Sequence, residues 1–173
     1  DRLFYNNSGG GVTISGGEPL AHHGFVLKLL KAFKESGLHT ALDTSGYGPP
    51  RVLNEMLEYV DLVLFDLKQL DRERHRQYTG VDNELILANA REVAKRVRTW
   101  FRIPLIEGFN DSPQDIEKVA RIARELGVVK ISLLPYHEGG ETKSKQIGKT
   151  YDLPLAKAPA EEHVQLLREI ISA

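Results

Sequence analysis

Cysteine is absent from the 173 residues. That excludes disulfides, thiolate metal ligation and a cysteine nucleophile within these residues. Long apolar runs are also missing: the longest span only a handful of residues, well short of the ~20 a membrane-crossing helix needs. No charged-then-apolar leader opens the chain, so the expectation is a cytoplasmic protein rather than a secreted one. Neither sign of charge is in excess, since 23 Lys and Arg against 24 Asp and Glu leave a formal net charge of −1. A nucleic-acid-binding surface normally carries a basic excess, and that class is set aside. What remains is ordinary for a folded chain: 41% hydrophobic and 27% charged residues, in a length that suits one domain. The expectation is a single soluble domain over residues 1–173, with neither nucleic acid nor membrane as partner.

The hydrophobic pattern alternates between strand and helix. Predicted strands cover Gly11–Ser15, Leu38–Asp43, Asp61–Leu67, Thr99–Ile106 and Val129–Leu134. After the first strand, Val26, Leu29, Leu30 and Phe33 recur at helical spacing and Gly37 supplies a stop. Pro49-Pro50 opens a second helix with Met56 and Leu57 on its buried stripe. A short polar helix is expected around Asp71 to Tyr78, and a longer one over Asn83–Val97 with Ile86, Ala90 and Val93 inward. Ser112 reads as an N-cap, with Pro113 at the first helical position and Asp115 three residues after the cap. A last helix is expected from about Pro159 to Ile171. Leu62 to Phe65 is an unbroken apolar run, which predicts a strand covered on both faces. Such alternation means a parallel sheet with crossover helices. An open doubly wound sheet and a closed or partial barrel satisfy it equally.

In a parallel α/β fold, ligands bind at the rim where the strands end, and here the strand ends are polar. The first delivers Ser15, Gly16, Gly17 and Glu18; the second Asp43, Thr44, Ser45 and Gly46; the third Asp66 and Lys68; the fourth Arg102; the fifth His137. Two glycines let a ligand approach the backbone closely, and Glu18 adds an acceptor suited to an ammonium; the plainer reading is a carboxylate at a helix N-terminus. Asp43 and Asp66 are expected side by side, where a proton or a cation relieves their repulsion. Lys68, a bound metal ion or a ligand ammonium are the candidates, and a simple Asp66–Lys68 ion pair is the alternative. Arg102 lies in an apolar strand and needs a carboxylate, from a ligand or from a neighbouring strand. His137 displays an imidazole at the rim. The loop lysines Lys143, Lys145 and Lys149 read as a solvated charge run. The inventory suits a zwitterionic, amino-acid-like ligand with a sugar.

Four blocks carry a likeness to a known family: SGGGVTISGGEP at Ser8–Pro19, ALDTSGYG at Ala41–Gly48, DLVLFDLKQLD at Asp61–Asp71 and LLPYH at Leu133–His137. They resemble the glycyl-radical-enzyme activating enzymes of the radical S-adenosylmethionine (SAM) superfamily, the likeness being greatest to the pyruvate formate-lyase activating enzymes. The resemblance implies an α/β fold, a partial (β/α)6 TIM-like barrel, here with five parallel strands because the first βα unit is missing. It also implies that Gly16, Gly17 and Glu18 hold the methionyl amino group of SAM, with Ser15 beside them. Asp43, Thr44, Asp66 and Lys68 match positions near the SAM carboxylate and ribose, where Asp43 and Asp66 also match a monovalent-cation site. His137 matches a SAM contact, and Arg102 an arginine close to the reaction and hence a catalytic residue.

Such enzymes use a reduced [4Fe-4S] cluster to cleave SAM, and the resulting deoxyadenosyl radical takes hydrogen from a glycine of the partner enzyme. The implied partners are a glycyl radical enzyme of the pyruvate formate-lyase type and a flavodoxin or ferredoxin electron donor. The family holds its cluster with a CxxxCxxC segment, and this chain has no cysteine. The expectation is therefore a fragment, a SAM-pocket scaffold without activity of its own. The alternatives are an activator of a different glycyl radical enzyme, a cluster-free α/β ligand-binding module, or a partner-docking module. A further expectation is that the free edge of the first strand is covered, by another molecule or by residues preceding Gly11.

Overall fold

A computed structural model of the chain describes Tyr5, residues 10–136 and residues 157–172. Five parallel strands form one sheet in the order β1-β2-β3-β4-β5. They are β1 (Gly11–Ile14), β2 (His39–Thr44), β3 (Leu62–Asp66), β4 (Arg98–Leu105) and β5 (Lys130–Pro135). Helices join them: α1 (His23–Glu35) after a 3-10 turn at Pro19–His22, α2 (Pro50–Leu57), α3 (Arg72–Thr79), α4 (Glu84–Arg96), α5 (Pro113–Leu126) and α6 (Glu161–Ser172). A strand order that follows chain order without reversal is the wall of a barrel, since a doubly wound sheet reverses direction at a switch point. That decides the choice which periodicity leaves open.

Burial along the strands shows where the helices lie. In β3 it alternates, with Val63 and Phe65 fully buried and Leu62, Leu64 and Asp66 only partly so. The unbroken apolar run is thus not covered equally on both faces, as the sequence predicts; the helices crowd onto one. Leu42, Val63, Phe65, Phe101, Ile103 and Leu105 share a single core with Leu30 of α1, Met56 of α2, Val93 of α4, Ile116 of α5 and Leu167 of α6. The other face carries Asp43, Asp66 and Arg102. In a barrel wall that second face is the inner one, where apolar strand residues meet polar ones near the mouth.

The local signals act as the sequence predicts at several ends. Ser112 Oγ accepts from Asp115 N at 3.1 Å, with Pro113 following at the first position of α5. Asp71 caps α3 through Arg74 N at 2.8 Å, and Gly80 closes that helix in the left-handed conformation. Observed strands begin or end a residue away from the predicted ones, because ladder hydrogen bonds rather than apolar content set the ends. The described residues contain no helix long and apolar enough to cross a membrane. Residues 1–4 and 6–9, on which cover for the β1 edge by the chain itself depends, lie outside the described residues, as do His137 and the lysine run of residues 143–149.

Candidate functional site

A cleft of about 400 Å³ opens at the carboxyl ends of β1 to β4, lined by Ser15, Gly16, Gly17, Glu18, Asp43, Thr44, Ser45, Asp66, Lys68 and Arg102. Nine of these are the residues the sequence singles out. The register explains the convergence. Asp66 of β3 stands opposite Arg102 of β4, and Asp43 of β2 stands opposite Leu64, two residues before Asp66, so Asp43 and Asp66 share one face. Parallel strands all end at one rim, and side chains two apart share a face.

Arg102 is the bridge. Its Nε and Nη2 donate to Asp66 Oδ1 at 2.9 and 2.8 Å, and Nη2 also donates to Asp43. The side chains are 23% exposed for Arg102, 15% for Asp43 and 21% for Asp66. Of the partners expected for Arg102, the neighbouring-strand carboxylates hold it. The same contact relieves the carboxylate pair: the Arg102 guanidinium lies between the two, where the sequence offers a proton, Lys68, a metal ion or a ligand ammonium. No described group of three or more His, Cys, Asp or Glu side chains is placed to hold a metal ion. Ser15 Oγ donates to Asp43 Oδ2 at 2.8 Å. Burial pushes the Asp66 carboxyl above its ordinary range and the Asp43 charge adds to this, while Arg102 and Lys68 pull it part of the way back.

Glu18 is tied to the end of β2. One carboxylate oxygen accepts from Thr44 Oγ1 at 2.6 Å and from Leu20 N at 3.2 Å. The other accepts from Ser45 N at 2.9 Å and Ser45 Oγ at 2.5 Å. Glu18 is also the N-cap of the 3-10 turn that Pro19 begins, so the plainer reading of this residue holds alongside any ligand role. Ser45 is the remaining lining residue; the sequence places it in the strand-end run Asp43-Thr44-Ser45-Gly46 without assigning it a ligand contact. Gly16 has φ +127°, a conformation that favours glycine, and no atom lies within 4 Å of a Cβ built at Gly16 or Gly17. The peptide groups of this turn are open to a ligand.

Lys68 lines the cleft just past β3. It does not pair with Asp66, which Arg102 takes. Among the described residues its ammonium enters no hydrogen bond or ion pair, although its charge acts on Asp66. The cleft thus holds three carboxylates against two cations, leaving a free cation on one side and a net negative charge over the whole. His137, the predicted rim histidine, lies outside the described residues.

Comparison with known proteins follows the same residues. The model of the radical SAM superfamily matches residues 2–123. The chain is 42% identical over 153 residues to the 4-hydroxyphenylacetate decarboxylase activating enzyme of Clostridium scatologenes, covering 86% of this chain and 49% of that enzyme. It is 40% identical over 176 residues to the pyruvate formate-lyase 1-activating enzyme of Escherichia coli K12, covering 98% of this chain and 71% of that one. The chain therefore spans about half the length of the first relative. A crystal structure of a domain of pyruvate-formate lyase-activating enzyme from Bacteroides vulgatus superposes with a TM-score of 0.77 at 35% identity, covering 94% of this chain and 93% of that domain. A sequential parallel sheet, a Gly-Gly-Glu turn at its rim and these matches agree: the chain belongs to the radical SAM superfamily, in the family of the pyruvate formate-lyase activating enzymes.

Proposed function

We propose that the cleft holds the amino-acid end of SAM, and that the chain is the SAM-holding part of an enzyme that activates pyruvate formate-lyase or a related glycyl radical enzyme. The observation that carries this reading is the charge pattern of the rim: an open Gly16–Gly17 turn, three carboxylates, and one ammonium, Lys68, with no partner among the described residues. A ligand amino group and sulfonium suit the net negative cleft, and a ligand carboxylate suits Lys68. About 400 Å³ lies within the ~300–1,000 Å³ usual for small-molecule sites.

In this reading Gly16 and Gly17 offer peptide groups to the methionyl amino group, with Ser15 shaping the turn. Glu18 and Thr44 fix the turn against β2. Asp43 and Asp66 face the ribose and carboxylate end and are the pair that a monovalent cation would join by displacing Arg102. Lys68 neutralises the ligand carboxylate. Arg102, paired with both carboxylates, is the residue assigned to the reacting end of the cleft, and His137 contacts SAM. SAM, when bound, supplies the deoxyadenosyl group of the reaction.

The iron–sulfur cluster of the superfamily does not fit these residues. Its ligands are thiolates, and the chain has none. We assign cluster ligation to protein outside residues 1–173, and delivery of the electron to a flavodoxin or ferredoxin in the cytoplasm. The test is anaerobic: the cluster-loaded protein carrying this chain is mixed with reductant, SAM and pyruvate formate-lyase, and the glycyl radical is read by electron paramagnetic resonance. A radical signal that needs SAM supports the reading. A loaded protein that leaves pyruvate formate-lyase and 4-hydroxyphenylacetate decarboxylase both without radical overturns it.

A further inference from the structure

The buried side-chain amides share one habit: each donates to a carbonyl at or just past a strand end. Gln69 donates to Phe109 O, Asn83 to Gln69 O and Leu70 O, and Asn110 to Lys68 O and Pro104 O. Asn89 is the one that reaches the turn after β2, against which Glu18 rests. It sits 2% exposed on the apolar stripe of α4, a place where an amide survives only if its hydrogen bonds are met. Its Nδ2 donates to Gly46 O at 2.8 Å and to Gly48 O at 3.0 Å.

From Gly46 an unbroken path leads to Glu18. Gly46 has φ +71°, and a Cβ there would clash with Cζ at the edge of the Phe65 ring, so the turn is pressed onto the core in one conformation. Gly46 N donates to Thr44 Oγ1 at 3.0 Å, and Thr44 Oγ1 donates to Glu18 at 2.6 Å. On the same turn, Ser45 N and Oγ hold the other Glu18 oxygen. Apart from the local bond from Leu20 N, every hydrogen bond to the Glu18 carboxylate among the described residues thus comes from the two residues before Gly46. Gly16 and Gly17 carry no side chains, so their turn is tied to β2 at its two ends, by Ser15 Oγ to Asp43 and by Glu18 to Thr44 and Ser45.

We infer that Asn89 is the positioning residue of the Gly16-Gly17-Glu18 turn, acting on the ligand only through the Gly46 turn and Glu18. The inference rests on the SAM reading of the cleft. Without Asn89, the buried Gly46 carbonyl keeps only the bond from Gly48 N and the half-buried Gly48 carbonyl loses its side-chain donor; the turn moves to recover them, taking Thr44 and Ser45 away from Glu18.

The test is a double-mutant cycle on the cluster-loaded protein carrying this chain. SAM is titrated by calorimetry into the parent, Asn89→Ala, Glu18→Gln and the double variant. Asn89→Ala is expected to weaken SAM about tenfold, as loss of a buried donor does, and to add nothing in the Glu18→Gln background. Hydrogen exchange of the Ser45 amide is expected to quicken in Asn89→Ala. Asn89→Ser, which keeps one donor, is expected to fall between parent and Asn89→Ala, and replaces it in the cycle if the alanine variant does not fold. Additive losses in the cycle, or a Ser45 amide that exchanges at the parent rate, would overturn the inference. If Glu18→Gln alone leaves SAM affinity intact, the SAM reading falls, and Ser45 exchange still decides whether Asn89 sets the turn.

Discussion

Replacing Arg102 by Met tests the electrostatics of the cleft without changing side-chain length much. In the parent the guanidinium touches both Asp43 and Asp66, all three being less than a quarter exposed. Removing one partner of a well-buried ion pair costs about 3–5 kcal/mol. The cleft is open to water on one side, so the lower end, about 3 kcal/mol, applies here. For a chain of this length that is a fall of about 6–12 °C in Tm. The loss is expected to depend on pH. Asp66 already binds its proton more tightly in the folded state than an ordinary aspartate, which titrates at 3.8, so it contributes stability below that value and loses it as pH rises through the folded one. Without Arg102 the two carboxylates repel unscreened, the folded value climbs further, and a shared proton takes over the role of the guanidinium. The variant should therefore approach the parent near pH 5 and fall well short of it at pH 8. Urea and thermal melts of both proteins at the two pH values read this directly. An equal loss at both would mean that Arg102 acts through packing, and the charge argument would fail.

Two further outcomes follow from single contacts. Gly46→Ala sets a methyl group against the Phe65 ring at φ +71°; strain and clash together should lower stability by about 2–4 kcal/mol in a denaturant titration. Asp61 is pushed up by burial, but Lys34 at 2.6 Å and the Thr40 amide at 2.8 Å outweigh this and hold it below the ordinary carboxylate range. Its contribution is complete above that range and is lost as pH falls through the folded value. Asp61→Asn should accordingly cost about 1 kcal/mol at pH 7, and the gap to the parent should close on acidification below pH 4.

The rim was readable because parallel strands must end together and this chain marks those ends with Ser15-Gly16-Gly17-Glu18, Asp43-Thr44 and Asp66-Leu67-Lys68. The alternation of strands and helices gave the elements, but not the choice between barrel wall and doubly wound sheet, since hydrophobic period carries no information on strand order. Coverage of β3 was misjudged for a related reason: Leu62 and Leu64 are as apolar as Val63 and Phe65, and only the side on which the helices lie separates them. Arg102 illustrates a pairing that spacing cannot resolve. An arginine in an apolar strand must find a carboxylate, yet Asp43 lies 59 residues away along the chain, and only the register brings them together. Asn89 was invisible for the opposite reason. It occupies an ordinary position on the buried stripe between Ile86 and Ala90, and its importance comes from two carbonyls on a turn 41 and 43 residues earlier.

The central claim is that β1 to β4 assemble a receptor for the methionyl end of SAM. The most direct measurement is a crystal structure of the cluster-loaded protein with SAM bound. The account requires the amino group at the Gly16–Gly17 turn and the carboxylate within hydrogen-bonding reach of Lys68. A methionyl group seated elsewhere, for instance along the outer side of β5 against α6, would contradict it.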